Sequence, residues 1–389
     1  MNKCKSKLLK NQLLMVNMKV ERILTRASAL LFILVTVVLL RIVYNRISSN
    51  RGLQNDVKIR QTELSSIEGF QKDVLIPIVK DDICRDCKYC YTSGFRQNKM
   101  KVLPIKQLRQ SGCEQRLPDA IIIGVKKCGT GTLRHFISFH PQIAPVREAI
   151  DYFTTRYSNG IDWYKSQMPY ALRNQTVLDK SPGYFAPQTC DKIRKDLPSD
   201  VRIIAILRDP VARAVSDFTH IHAILDEAKK SGSNDYEKDV ARLGKSYDLV
   251  SSLKDSLIDA NGNVRVNSSL LKQGIYVNNL GYWFKQYPRD QILLIDGNDL
   301  TKNPYKVMQT METFLGLQTY FTEKHFYFNP VKRFYCLARP VNECMRGFKG
   351  RTHPVLSQDI TKKLQEFFNP FDRKLEEITG QTFSWVRRN

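Results

Sequence analysis

Between Gly124 and Thr132 the chain reads Gly124-Val125-Lys126-Lys127-Cys128-Gly129-Thr130-Gly131-Thr132, a run of small and basic residues suited to holding an oxyanion. Glycines let a backbone approach a phosphate or sulfate closely, and a helix starting there presents N–H groups and the positive end of its dipole. Thr130 and Thr132 add hydroxyl donors and Lys127 a full charge. The spacing is not that of a Walker A loop, whose lysine follows the second glycine directly, because Lys127 precedes Gly129 by two positions. A second set is Arg208-Asp209-Pro210, with Ser216 eight residues after the arginine. Arg at a strand end and Ser on the next helix can hold a separate phosphate, the guanidinium through its fork of donors. The same residues also suit an Arg–Asp pair capping a helix. Two anion-holding elements on neighbouring strands would fit a nucleotide with phosphates at both ends.

Such groups need strands and helices in a definite order. Ala120 to Val125 is wholly apolar apart from Gly124, as expected of a buried parallel strand, and Leu133, Phe136 and Ile137 then recur at helical spacing. The order repeats: Val201–Leu207 is apolar, Arg208-Asp209-Pro210 is a break, and Val211, Ala214, Val215 and Phe218 give a helical face. A third strand is expected over Gln291–Asp296. Strands alternating with helices predict an α/β domain, its central and mainly parallel β-sheet flanked by helices, over residues 117–389.

What precedes that domain has a different texture. Ala27 to Tyr44 is a run of about 18 residues interrupted only by Arg41, which can snorkel to the headgroups, and is long enough to cross a thin bilayer as a helix. We read residues 1–26 as a cytoplasmic tail, 27–46 as a transmembrane signal anchor and 47–116 as a stem. The basic cluster Lys3, Lys5, Lys7, Lys10, Lys19, Arg22 and Arg26, opposed only by Glu21, argues that the tail stays cytosolic and the domain lumenal. A cleaved signal peptide is the competing reading, disfavoured by the long tail and the lack of an A-x-A-like site. Sequons at Asn174 and Asn267 agree with a lumenal glycoprotein, and nine cysteines fit an oxidising compartment. Cys336 and Cys344 bracket a short loop as a local disulfide would. Cys84, Cys87 and Cys90 lack a nearby His or fourth ligand and read as stem disulfides rather than zinc ligands. The formal net charge is +23, of which +17 remains beyond residue 26. That surplus favours a polyanionic partner, and a lumenal address disfavours nucleic acid relative to an acidic glycan.

In order along the chain come AIIIGVKKCGTGTL (120–133), GIDWYKSQMP (160–169), LDKSPGYF (178–185), ILRDPVARAVSDF (206–218), FYC (334–336), KGRTHP (349–354) and ITGQTFSW (378–385). This series resembles the PAPS-dependent Golgi carbohydrate sulfotransferases, and within them the heparan sulfate glucosamine 3-O-sulfotransferase family (PAPS is 3′-phosphoadenosine-5′-phosphosulfate). The resemblance implies a single P-loop-like sulfotransferase domain on a type II Golgi anchor, with PAPS as co-substrate, PAP as product and no metal. Lys127, Gly129, Thr130 and Thr132 would bind the 5′-phosphosulfate, with Cys128 and Gly131 in the same loop. Arg208 and Ser216 would bind the 3′-phosphate, and Tyr335, Lys349, Gly350 and Arg351 would complete the nucleotide side. Lys126, Asp151, Lys180, His220, Lys349 and Arg351 would face the glycan. Glu148 matches the family's catalytic base, with Lys127 and Lys180 as catalytic cations, and Cys336–Cys344 matches the family's disulfide.

The acceptor half departs from the family pattern. The family's glutamate is followed two residues on by His, whereas this chain reads Glu148-Ala149-Ile150-Asp151-Tyr152-Phe153-Thr154, with Ile150 or Asp151 in place of the His and Thr154 in place of an Asp. Cys128 stands for a usual Gly, Gly131 for an Arg, and His220 for a common Gln. GIDWY and the Gly131-Thr132 turn also resemble the heparan sulfate N-sulfotransferase domain, which keeps that activity, or another glycan O-sulfotransferase, as an alternative. The missing His motivates a third reading, a non-catalytic heparan sulfate-binding protein on the same fold. A P-loop kinase is disfavoured by the lysine placement and by the lack of an evident Walker B carboxylate.

Overall fold

In the computed structural model the chain divides into two units, Met1–Val79 and Lys80–Asn389. The structure describes Cys90 and residues 105–231, 252–340, 342–345 and 353–387, all in the second unit. The expected tail and membrane anchor, most of the stem, Cys84, Cys87, Lys349, Gly350 and Arg351 lie outside the described residues. Among the described residues no helix is long and apolar enough to cross a membrane.

The apolar run expected as a buried strand is β1 (Ala120–Gly124), and every one of its residues is buried. It lies at the centre of a five-stranded parallel sheet with β2 (Ile143–Pro145), β3 (Thr176–Lys180), β4 (Arg202–Leu207) and β5 (Ile292–Asp296). The spatial order is β2-β3-β1-β4-β5. Ala120 faces Leu178 on one side and Arg202 on the other, and β4 carries Leu207 opposite Asp296 of β5. A strand with neighbours on both edges and helices over both faces has no surface for polar side chains, which is why β1 and β4 read as continuous hydrophobic runs.

Two strands of this sheet have no clear sequence signal, for physical reasons. β3 is half polar, with only Val177, Leu178 and Asp179 buried. β2 has three residues and ends in Pro145, which is tolerated because β2 is an edge strand.

The helices α1 (Thr130–Ile137), α2 (Pro187–Asp196), α3 (Pro210–Ser231), α4 (Tyr276–Gln286), α5 (Pro304–Leu315) and α6 (Gln358–Thr379) surround the sheet. Leu133, Phe136 and Ile137 bury the apolar stripe of α1 in the main core, where the fully buried Trp283 of α4 donates its indole N–H to the Phe185 carbonyl at 3.0 Å. Val211, Ala214 and Val215 of α3 join Leu364 and Phe368 of α6 in a second cluster.

The last residues of the segment read as stem are folded. A short helix, Ile105–Gln110, leads to Glu114–Gln115, which pairs antiparallel with Tyr170–Ala171. A Cys90–Cys113 disulfide fastens this region, and Leu108, Cys90 and Cys113 pack with Tyr170 and Leu172.

Candidate functional site

Because all five strands point the same way, their carboxyl ends share one edge of the sheet. The chain runs from β1 to β2 and β3 on one side, then crosses to β4 and β5 on the other. The loops after β1 and after its neighbours therefore diverge at β1, the usual ligand position in such sheets. That edge receives the 125–129 loop from β1, Lys180 and Ser181 from β3, Arg208 from β4, Gly297 from β5, and Glu148 just beyond β2.

The loop after β1 is sterically determined. Lys127 takes φ 72 and Gly129 φ 113, both in the region that favours glycine. A Cβ on Gly129 would stand 3.3 Å from Cδ1 of Ile206 and 3.5 Å from Cδ2 of Leu300, a tight fit, so the backbone angle is the main reason for glycine there. Gly129 is the N-cap of α1, and no side chain caps that helix start. Its carbonyl accepts the Thr132 and Leu133 N–H groups at 2.9 Å. The result is a helix N-terminus with its positive end at this edge of the sheet and Lys127 beside it. Thr130 is buried, and Gly131 and Thr132 are partly exposed.

Beneath the loop sits a buried charge network that sequence reasoning did not single out. Lys126 reaches Asp217 Oδ1 at 3.0 Å, and Arg213 reaches Asp217 Oδ2 at 3.0 Å, with the Arg213 and Asp217 side chains fully buried. Arg213 also donates to the Leu270 carbonyl. Burial alone would raise the Asp217 carboxyl, but Arg213 and Lys126 hold it below the usual carboxylate range. The Cys128 thiol is buried 3.5 Å from the Tyr276 hydroxyl. Burial pushes this thiol up to about 11, so it stays protonated and offers an anion only its backbone.

On the neighbouring strand end, Arg208 is partly buried. Asp209 accepts the Val211 N–H at 2.9 Å and Pro210 opens α3, so Asp209 takes the capping role that the sequence left open. Ser216 is buried on α3 and His220 lies partly exposed further along it. Thr219 Oγ1 stands 3.3 Å from Nδ1 of His353.

Glu148 is exposed, on a short segment pinned at both ends. The Val146 N–H donates to the Leu178 carbonyl at 2.9 Å, and Arg134 of α1 donates to the Val146 carbonyl at 3.1 Å. At the far end the Asp151 N–H donates to Ser181 Oγ at 3.1 Å, and Arg156 donates to the Ile150 carbonyl at 2.9 Å. Of the two residues that can stand where the family has His, Ile150 is turned into the core at 7% exposure. Asp151 is partly exposed with φ 53, its carbonyl accepting the Thr154 hydroxyl at 3.0 Å.

Lys180 is partly exposed at the end of β3, and beside it lies Asp179, fully buried and also absent from the sequence reading. The available signal was a carboxylate following two apolar strand residues, with a Tyr in the GIDWY segment to satisfy it. Tyr164 donates its hydroxyl to Asp179 Oδ2 at 2.7 Å, and the Lys180 N–H donates to Oδ1 at 2.6 Å. Burial lifts Asp179 to about 6 against the opposing pull of Tyr164 and Lys180, and Asp151 adds to the rise. A carboxyl whose folded value lies above its unfolded 3.8 contributes stability that is full below 3.8 and is lost as pH rises through 6. The stability advantage of the unaltered protein over Asp179→Asn is therefore expected to shrink by about 2 kcal/mol between pH 4 and pH 7, read from urea denaturation at several pH values. A pH-independent difference would rule this out.

Tyr335 lies partly buried on the hairpin formed by β6 (Phe326–Asn329) and β7 (Phe334–Leu337), edge-on to Phe328 at 5.5 Å. Cys336 and Cys344 are disulfide-bonded next to it. Asn174 and Asn267 are exposed.

Residues 117–381 match the sulfotransferase domain model. The chain is 32% identical over 289 residues to heparan sulfate glucosamine 3-O-sulfotransferase 3B1 of Mus musculus, covering 72% of this chain and 68% of that protein. It is likewise 32% identical over 285 residues to heparan sulfate glucosamine 3-O-sulfotransferase 5 of Homo sapiens, covering 72% and 77%. A solved sulfotransferase from Alicyclobacillus acidocaldarius is 20% identical with a TM-score of 0.49, covering 70% of this chain and 100% of that one.

Proposed function

Since the chain belongs to the sulfotransferase family, among the heparan sulfate glucosamine 3-O-sulfotransferases, we propose that it transfers the sulfuryl group of PAPS to the 3-hydroxyl of a glucosamine in heparan sulfate. The observation that carries this reading is the arrangement at the carboxyl edge of the sheet: an uncapped helix start with Lys127 after β1, and Arg208 at the end of the adjacent β4. These donors are amides and cations, which fits a nucleotide anionic at both ends.

PAPS, when bound, supplies the sulfuryl group and leaves as PAP. In this reading Lys127, Gly129, Thr130 and Thr132 hold the 5′ end, and Arg208 and Ser216 the 3′-phosphate. Tyr335, Lys349, Gly350 and Arg351 close the nucleotide side. Glu148 removes the proton of the acceptor hydroxyl, and Lys127 and Lys180 offset charge on the oxygens that gain it. The pinned 146–151 segment keeps the Glu148 backbone at a set height above β3, so little reorganisation is needed on acceptor binding. Asp151, His220 and Lys180 line the glycan side, and the basic surplus of +17 beyond residue 26 attracts a polyanionic chain. Lys126, tied to Asp217, supports the loop from below in addition to any glycan contact. A type II anchor over 27–46, a Golgi lumenal domain and glycans on Asn174 and Asn267 complete the proposal.

A second reading, glycan binding without turnover, is favoured by one observation: Ile150, one of the two residues that can stand where the family has His, is packed in the core. The deciding experiment is transfer from labelled PAPS to heparan sulfate by the purified chain, followed by disaccharide analysis. Label at the 3-O position supports the proposal, and label on nitrogen transfers it to the N-sulfotransferase alternative. Absence of label from a chain that binds PAP leaves the non-catalytic reading. Lys127→Ala and Arg208→Ala are each expected to weaken PAP binding by about 10–100-fold, the value of a charge-assisted hydrogen bond, in titration calorimetry.

A further inference from the structure

Two separate elements hold the two ends of the proposed nucleotide, and something must set the distance between them. Three contacts do so. The Tyr276 hydroxyl, at the start of α4, donates to the Arg208 carbonyl at 2.7 Å and lies 3.5 Å from the Cys128 sulfur. One fully buried phenol thus touches both the loop after β1 and the end of β4. Asp217 of α3 takes Lys126 from the loop at 3.0 Å. Gly297, after β5, fits against both: a Cβ there would stand 2.8 Å from the Leu207 carbonyl oxygen and 2.9 Å from that of Cys128.

We propose that Tyr276 is a positioning residue, which touches no substrate itself and fixes the spacing between the Cys128–Gly129 loop and Arg208 so that one nucleotide can engage both. The inference rests on the nucleotide reading of the site given above. Its physical basis is that a buried hydroxyl with two partners is satisfied in only one arrangement of them, so the loop and the strand end are held in a single register. Without the hydroxyl, each element can still bind an anion by its own donors. A ligand that bridges them loses the preorganisation, and a ligand that uses only one of them does not.

The test compares PAP, phosphorylated at both ends, with adenosine 5′-monophosphate, which lacks the 3′-phosphate, on the full chain by calorimetry. In Tyr276→Phe, PAP affinity is expected to fall about tenfold while adenosine 5′-monophosphate affinity stays within about twofold. Cys128→Ala severs the other arm of the bridge without touching Arg208, and is expected to shift the same ratio in the same direction. It also keeps the test open should the phenylalanine variant fold poorly. A general loss of structure would weaken both nucleotides alike. A PAP preference unchanged in both variants overturns the inference and leaves the functional proposal standing. Equal affinity of the unaltered chain for the two nucleotides overturns the two-ended site and the inference with it.

Discussion

Glu148→Gln is expected to lower sulfate transfer by about 10²–10⁴-fold, the usual contribution of a general base. The amide keeps the size and exposure of the side chain and loses only its ability to take a proton. PAP affinity should therefore stay within about twofold, because Glu148 follows β2 at the edge of the sheet whereas the phosphate elements follow β1 and β4 at its centre. Single-turnover rates and PAP calorimetry on the same preparation separate the two quantities. Turnover preserved in the variant would move the base elsewhere, and Asp151, partly exposed three residues on, is the next carboxylate to alter. Loss of PAP binding together with turnover would instead point to a disturbed 146–151 segment.

The largest effect on stability is expected from Arg213→Ala. Arg213 and Asp217 are one helical turn apart on α3, both side chains fully exposed to protein and not to water, with 3.0 Å between Nη1 and Oδ2. Removing the guanidinium takes the fully buried cation away from the Asp217 carboxylate and leaves the Leu270 carbonyl without this donor. Breaking a buried pair from one side costs about 3–5 kcal/mol, to be read as a lower urea midpoint at unchanged slope. Arg213→Met combined with Asp217→Leu should recover most of that loss, since no uncompensated charge remains and the partly exposed Lys126 can turn to solvent. If the double variant is no more stable than the single one, the charges are needed for more than mutual neutralisation.

The contrast between Asp217 and Asp179 shows why neither was legible in the sequence. Asp217 has two cations and is held below the usual range, whereas Asp179 has a phenol and an amide and is lifted to about 6. Their partners come from 1 to 91 positions away along the chain, and identity alone does not reveal which acids will be enclosed. Ile150 and Asp151 make the same point on the acceptor side. They are adjacent in sequence, and only the packing of the pinned segment puts one in the core and the other at the surface.

The features that the sequence determined by itself are local or periodic. Continuous apolar runs made β1 and β4 legible because burial on both faces leaves no other choice. Gly129 and Pro210 marked two helix starts because the backbone there needs their particular freedom or restriction. The basic surplus pointed to a polyanion because net charge is additive and independent of fold. The tertiary structure alone decided what depends on strand order: that β3 and β4 flank β1, so that Lys180, the 125–129 loop and Arg208 share one edge. It also decided that Tyr276, from a helix 148 residues beyond Cys128, bridges that loop to Arg208. Contacts at such separations carry no periodic signal; they exist because a parallel sheet gathers the ends of distant strands and a close-packed core closes around them.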